Sequence, residues 1–423
     1  MRPAQICFAL AAALAAAGVR AEDVALSDPL TLDAVVAFAR QHNPEIHAAE
    51  ERWRAAQVRP AQAGALPDPM LTLGYHNESF DRLPLGSSEF TYARVGAEQE
   101  VPFPGKLQLK QRISTTAADE AAQNYRRVEF DVIGRVKMAY AEYAHLDELL
   151  ELLHRNQALL DDFARAAEAK YAVGEGIQQD VLKAQVEQSL LLDREATLDQ
   201  RRQSQTAQLN ALLDREPGER LGAADHPVHK SLTQSLEGLL DAAHAHAPEL
   251  LMAQSRLAGG ESAVALAQRE YLPDFVVRAE YMHKAALLPE WEVGLGIKVP
   301  LYFATKQRNG VVEASAALLE ARSARESVIR SIDFRVKDLY LHARTSERLI
   351  ALYRTTITPQ AGLALESAVA AYKVGKVDFL TLLNSFTVML EYEMRYHEEL
   401  ANFQKAIAEL EAVIGESLSE VVQ

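Results

Sequence analysis

Histidine and carboxylate side chains are the groups in this chain that could hold a metal ion or move a proton, and several of them gather in one stretch. Asp225, His226 and His229 lie close together, and His244 and His246 follow a little further on. Imidazole is a common metal ligand and titrates near neutrality. The spacing argues against a built site. His244 and His246 are two apart on a predicted helix and so leave it on different sides, and no His-x-x-x-His pair encloses a carboxylate. Cys7 is the single cysteine, which excludes an intramolecular disulfide and any Cys/His zinc spacing. No Gly-x-Ser-x-Gly, His-Glu-x-x-His or glycine-rich phosphate loop occurs. The sequence therefore predicts no catalytic residue, no metal site and no cofactor, and it reads the histidine stretch as a solvated link.

The elements that carry these residues belong to an unusual chain. Of 423 residues 48% are hydrophobic, enough to fold. With 59 acidic against 44 basic residues the charge is -15, the wrong sign for a surface that tracks phosphates, so nucleic acid is not expected as a partner. Residues 1–21 read as a secretory signal peptide: Arg2 gives a positive start, residues 8–18 are an apolar run, and Val19-Arg20-Ala21 has small residues where a signal peptidase reads. Cleavage before Glu22 removes Arg2 and Arg20, taking the charge from -15 to -17. Cys7 leaves too, and the preceding Ala4-Gln5-Ile6 is not a lipoprotein context, so no acyl anchor is expected.

Helix dominates the remainder. Residues 106–173 contain no proline and one glycine, Gly134, and residues 177–216 and 376–414 contain neither. Leu153, Leu160 and Ala167, with Phe163 between them, fall at heptad spacing, as do Ile350, Ile357, Ala364 and Ala371. That is the seam of helices packed along their length. Pro359 and Gly362 should bend or break the second of these runs. No apolar block is long enough for a transmembrane helix. Four short segments instead alternate as strands do. In residues 291–301 Trp291, Val293, Leu295, Ile297, Val299 and Leu301 share one face; residues 275–283 are similar, Leu71, Leu73 and Tyr75 begin a third strand, and Phe90 and Tyr92 a fourth. Such alternation fits barrel strands with one face in lipid, and equally the half-buried strands of a soluble sheet.

The chain is also duplicated. Leu32 through Asn43-Pro44-Glu45 matches Leu236 through Ala247-Pro248-Glu249; Leu66-Pro67-Asp68 matches Leu272-Pro273-Asp274; Val101-Pro102 matches Val299-Pro300; and Tyr171-Ala-Val173-Gly174 matches Tyr372-Lys-Val374-Gly375. The reading is a repeat at 22–220, a linker at 221–232, a second repeat at 233–416 and a tail at 417–423, each repeat running helix, strand, strand, long helix, turn, helix. Four strands cannot close a barrel in lipid alone, since open edges leave backbone groups unpaired; three copies would supply twelve.

Order and duplication together resemble the TolC-like outer-membrane efflux ducts of Gram-negative bacteria. Glu100-Val-Pro-Phe-Pro-Gly-Lys106 and Leu66-Pro-Asp-Pro-Met70 look most like the branch serving heavy-metal (cobalt-zinc-cadmium or copper) resistance-nodulation-division (RND) pumps. The resemblance implies a mainly α fold of duplicated long helical hairpins, with four strands per chain joining a trimeric 12-stranded outer-membrane β-barrel. It implies a homotrimer set in outer-membrane lipid, helices in the periplasm, a periplasmic adaptor (membrane fusion) protein and an inner-membrane RND pump as partners, and passive export of heavy-metal cations. Ducts for organic compounds or for type I secretion share the pattern, and a soluble periplasmic coiled-coil binding protein is the alternative from another class. Carried over by position, the adaptor-contact tips are Tyr171, Val173, Gly174, Tyr372, Val374 and Gly375. The periplasmic gate candidates are Asp180 in the first half and Asp378, Thr381 and Asn384 in the second. Because Thr381 and Asn384 stand where an acidic pair is expected, a polar rather than a charged closure is implied.

Overall fold

The structure, a computed structural model, describes residues 29–78, 88–225, 231–285 and 287–418. The signal peptide, His226, His229 and residues 419–423 lie outside the described residues.

Helices α1 (Leu32–His42), α2 (Pro44–Gln57) and α3 (Arg59–Gly64) lead into strands β1 (Met70–His76) and β2 (Tyr92–Val101), then α4 (Lys106–Ala172) and α5 (Gln178–Leu212). The order recurs: α6 (Leu236–His246), α7 (Pro248–Arg269), β3 (Asp274–His283), β4 (Glu290–Lys298), α8 (Gln307–Leu352), a π-helical turn (Tyr353–Ile357), α9 (Thr358–Lys373) and α10 (Phe379–Ile414). Local chemistry sets these boundaries. The Thr31 hydroxyl accepts the Ala34 N–H at 3.3 Å to open α1. Asn43 Oδ1 accepts from Glu45 and Ile46 at 2.9 and 3.2 Å ahead of Pro44, which needs no donor of its own. The same buried Asn43 donates through Nδ2 to the Leu212 carbonyl at 2.8 Å, satisfying the C-terminal end of α5.

At 1.5 Å per residue the 67 residues of α4 reach roughly 100 Å. A helix that long cannot fold around one centre, and the core is three strings of side chains strung along the bundle. One joins α4, α5, α9 and α10 through Leu153, Leu160, Phe163, Leu191, Phe379 and Phe386. A second packs α1 and α2 on α4 and α5 around Tyr140 and Leu209. The third packs α6 and α7 on α8 and α10 around Ile332, Val336 and Leu410. Each fully buried leucine contributes on the order of 1.5–3 kcal/mol.

The heptad of the first half holds, since Leu153, Leu160 and Ala167 are all buried. That of the second half does not. Ile350 is buried, but Ala364 is exposed and Ala371 half-buried, while Leu365, Ala368 and Tyr372 point into the core. The cause is the π-turn at 353–357. One extra residue in that turn moves every later side chain by one position in the seam, so 364 and 371 give way to 365 and 372. Pro359 explains the turn: it lacks an N–H and its ring crowds the preceding turn, and widening that turn removes the conflict.

The sheet is antiparallel in the order β1-β2-β3-β4. Strand β2 begins at Tyr92, leaving Phe90 outside, and runs on to Val101. Strand β4 stops at Lys298, short of Leu301, because Pro300 removes a ladder donor.

Burial between α4 and α10 pushes the His145 imidazole down from 6.5 to about 4 against the opposing pull of Glu142 and Glu148. Its Nδ1 has no hydrogen-bond partner. The stability tied to this group is therefore intact above pH 6.5 and declines as pH falls toward 4, where the unfolded chain binds a proton that the folded chain refuses. His145→Gln is expected to flatten this part of a plot of melting temperature against pH; an unchanged slope would refute the assignment.

Candidate functional site

Two regions of the fold expose groups that its packing does not require: the end of the bundle where α4 turns into α5 and α9 into α10, and the sheet at the opposite ends of α4 and α8.

Both turns are built alike. In the first, Gly174 N–H donates to the Tyr171 carbonyl at 3.1 Å and Glu175 N–H to Lys170 at 2.9 Å; in the second, Gly375 donates to Tyr372 at 3.1 Å and Lys376 to Ala371 at 2.9 Å. This paired pattern is the Schellman ending, which needs a left-handed residue. Gly174 and Gly375 supply it, with φ of 76° and 70°. The turns present apolar side chains to solvent: Val173 and Val374 are about two-thirds exposed or more, and Tyr171 and Ile177 are exposed as well. Tyr372 departs from its expected place at the surface. It is 6% exposed and its ring lies edge-on to Phe379 at 5.6 Å, so it shapes the turn from within.

The two turns are tied together by Lys170, a residue that sequence reasoning missed. Its ammonium donates to the Tyr372 carbonyl and sits 4.1 Å from the centre of the Tyr372 ring. Only its position, one residue ahead of the Tyr-x-Val-Gly motif, could have signalled it. Next to the tie stand the acids. Burial pushes the Asp180 carboxyl up, and the Asp378 charge adds to it. Hydrogen bonds from Thr381 hold Asp378 low, the Thr381 N–H lying 2.8 Å from its Oδ1 at the start of α10. Thr381 and Asn384 are exposed. The charge of Asp378 thus reaches Asp180 from the neighbouring hairpin, and the second half contributes its acid from the cap position, three residues before the expected one.

The sheet has two unlike faces. Register places Leu73 opposite Val95, Val95 opposite Tyr281 and Tyr281 opposite Trp291; the next rows add Leu71, Ala97, Ala279 and Val293, then Val277 and Leu295. Nothing among the described residues covers this face: Leu73 is 80% exposed and Trp291 76%. The other face carries Arg94, Glu98, Glu100, Asp274, Arg278, Glu280, Glu290, Glu292 and Lys298, six acids and three bases. Where β2 gives way to α4, Lys106 is buried against Asp274 at 2.9 Å and Glu270 at 3.4 Å. The motif ending at Lys106 is thereby packed on Leu272-Pro273-Asp274, the second-half counterpart of Leu66-Pro67-Asp68.

The histidine stretch is structural where it is described. His244 meets Asp333 at 2.7 Å, His246 lies 3.9 Å from Glu416, and Asp225 pairs its N–H with the Leu30 carbonyl at 2.9 Å. No cluster of three or more His, Cys, Asp or Glu suited to a metal occurs among the described residues, and none of their helices is long and apolar enough to cross a membrane.

A family model described as outer membrane efflux protein matches residues 35–215 and 239–422. The chain belongs to that family. It is 22% identical over 397 residues to the outer membrane protein TolC of Vibrio cholerae, covering 90% of each chain. It is also 22% identical over 420 residues to the pyoverdine export outer membrane protein OpmQ of Pseudomonas putida, covering 91% of this chain and 86% of that one. Among solved structures, the outer membrane protein VceC from Vibrio cholerae matches with a TM-score of 0.75 at 18% identity, covering 91% and 96% of the two chains. CusC matches with a TM-score of 0.78 at 13% identity, covering 91% and 92%. These structural likenesses are of fold. This efflux protein is accordingly an outer-membrane channel and not an enzyme, and its bare apolar sheet face is the part suited to lipid.

A Cβ at Gly174 or Gly375 would meet nothing within 4 Å, so alanine there costs only the left-handed backbone, about 1–2 kcal/mol per site. Gly174→Ala and Gly375→Ala are each expected to lower the thermal midpoint of the efflux protein while its helical circular dichroism at low temperature stays unchanged. A large loss of helix would show that the glycines do more than turn the chain.

Proposed function

We propose that this efflux protein is the outer-membrane duct of a tripartite system and passively exports heavy-metal cations. Three copies place their four-stranded sheets edge to edge in one twelve-stranded barrel, with the apolar face in lipid and the charged face lining the lumen. Below it, the long helices of the two repeats (22–220 and 233–416, linked by 221–232 and preceded by a signal peptide at 1–21) form a periplasmic tunnel. A periplasmic adaptor docks on the turns at Val173-Gly174 and Val374-Gly375, and an inner-membrane RND pump supplies the energy. Asp180, Asp378, Thr381 and Asn384 stand where the tunnel narrows and act as its gate. Because only a difference in affinity shifts a two-state gate, the adaptor must bind the open tip more tightly than the closed one.

The observation that carries this reading is the two-faced sheet with both edges unpaired among the described residues, since such edges must be satisfied before a sheet can sit in hydrocarbon. The cation reading is supported by the excess of acids over bases on the charged face, because a ring of carboxylates favours cations. A second reading, export of an organic compound, is favoured by the likeness to the pyoverdine export protein.

Reconstituted in planar bilayers, the protein is expected to pass potassium in preference to chloride, and Glu280→Gln with Glu292→Gln to reduce that preference several-fold. In cells lacking their own duct, it should restore tolerance to metal cations more than tolerance to organic toxicants; the reverse pattern would sink the metal reading and favour the second. Replacing Gly174 and Gly375 together by bulky residues is expected to abolish export while trimer and membrane location persist. Normal resistance in that variant would overturn docking at the turns.

A further inference from the structure

Phe103, Lys106 and Asp274 form a lock at the seam where β2 meets β3. One carboxylate oxygen, Asp274 Oδ1, accepts the Phe103 main-chain N–H at 2.8 Å and the Lys106 ammonium at 2.9 Å. Lys106, only 2% exposed, also donates to the Leu272 carbonyl at 3.0 Å. The lock fastens the end of one hairpin to the start of the next at the level where strands give way to helices.

Every part of this lock occurs a second time, split between the two open edges of the sheet. Leu66-Pro67-Asp68 precedes β1 as Leu272-Pro273-Asp274 leads into β3, and Phe303-x-x-Lys306 follows β4 as Phe103-x-x-Lys106 follows β2. Asp68 and Lys306 are exposed, and among the described residues neither side chain makes an ion pair or hydrogen bond. They cannot meet within one chain, because β1 and β4 are opposite edges. Their charges are complementary, and the cis lock shows the geometry in which this residue set closes.

We propose that Lys306 and the main chain at Phe303 close the same lock on Asp68 of the partner subunit, across the β4–β1 seam between copies of this chain. This rests on the trimer reading above and specifies its register. Continuing the β2–β3 ladder from Val101 opposite Phe275 puts Asp274 opposite Pro102, one residue before Phe103. With Phe303 taking the part of Phe103, the corresponding arrangement sets Asp68 of the partner subunit opposite Tyr302, in the turn four residues past the end of β4 rather than directly on its ladder. Leu73 of the partner subunit then faces Ile297, and Tyr75 of the partner subunit faces Leu295, so apolar rows meet apolar rows. A slip of one residue would set Lys298 or Gly296 against Leu73 of the partner subunit and turn one face inside out. A slip of two keeps the faces but pulls Asp68 of the partner subunit away from Phe303 and Lys306, so the lock selects between registers that alternation alone allows. A row that starts at Leu71 and crosses Ala97, Ala279 and Val293 then continues six residues further along β1 of the next copy, the steady stagger that a closed barrel requires.

The test uses the full-length protein extracted from membranes. Asp68→Lys and Lys306→Asp are each expected to lower by several degrees the temperature at which the trimer dissociates on unheated to heated gels, and the double variant to regain most of that loss. Where a charge reversal prevents assembly, the milder Asp68→Asn and Lys306→Gln replace it, and there the double variant is expected to lose no more than the worse single, because either change alone opens the lock. Single substitutions without effect, a charge-swapped double no better than the worse single, or neutral substitutions whose losses simply add, overturn the lock. Register is read by oxidation: Leu73→Cys with Ile297→Cys is expected to cross-link chains efficiently, and preferential cross-linking of Leu71→Cys with Ile297→Cys overturns the proposed register. A wild-type protein that is monomeric by native mass spectrometry overturns the trimer reading and the lock with it, whereas a wild-type trimer with uncoupled substitutions overturns the lock alone.

Discussion

A peptide N–H or C=O facing hydrocarbon has no water to bond, and each one left open costs several kcal/mol. The four-stranded sheet of this efflux protein has such groups along both β1 and β4, and much of the rest of the molecule follows from the need to cover them. The strands are short, seven to ten residues each. The apolar side exposes Leu71, Leu73, Trp291, Val293 and Leu295, with no described helix over them. Immediately past the strands the chain becomes α4 and α8, whose internal hydrogen bonds need no neighbour. Helices can therefore extend the duct as far as their seams can be filled, while the barrel cannot be made longer than the membrane is thick.

What the sequence made legible was what has a period. The alternation of residues 291–301 and 275–283, the proline-free run of α4 and the Leu153-Leu160-Ala167 seam each repeat one chemical choice often enough to read. What it hid was single events. One additional residue in the π-turn at 353–357 rotates the seam from Ala364 and Ala371 to Leu365 and Tyr372, and no local composition announces it beyond Pro359. Strand β2 was half legible, because Arg94, Glu98 and Glu100 mark its polar face while Ala93, Ala97 and Gln99 give its other face little contrast. Asp180 and Asp378 were legible as residues but not as neighbours: Asp378 precedes Thr381, the position matching Asp180, by three residues and caps α10, yet its charge reaches Asp180.

The two repeats are alike in order but not in mechanics. In the first, a single uninterrupted helix runs from Lys106 to the turn at Gly174; in the second, the path from Gln307 to Gly375 crosses the π-turn. A load on the first turn is passed up a continuous ladder of hydrogen bonds, whereas the second ladder contains a widened turn with poorer geometry, the place where a long helix bends most cheaply. Lys170 joins the turns through the Tyr372 carbonyl and ring, adding a polar tie at the tips to the apolar seam that already packs α9 and α10 on α4 and α5. The Asp180–Asp378 pair beside the tie favours separation of the hairpins when both carboxylates are charged, and the Lys170 bridge opposes it. The tips thus combine one stiff and one compliant helix path, two neighbouring carboxylates and one bridging cation on a shared apolar seam.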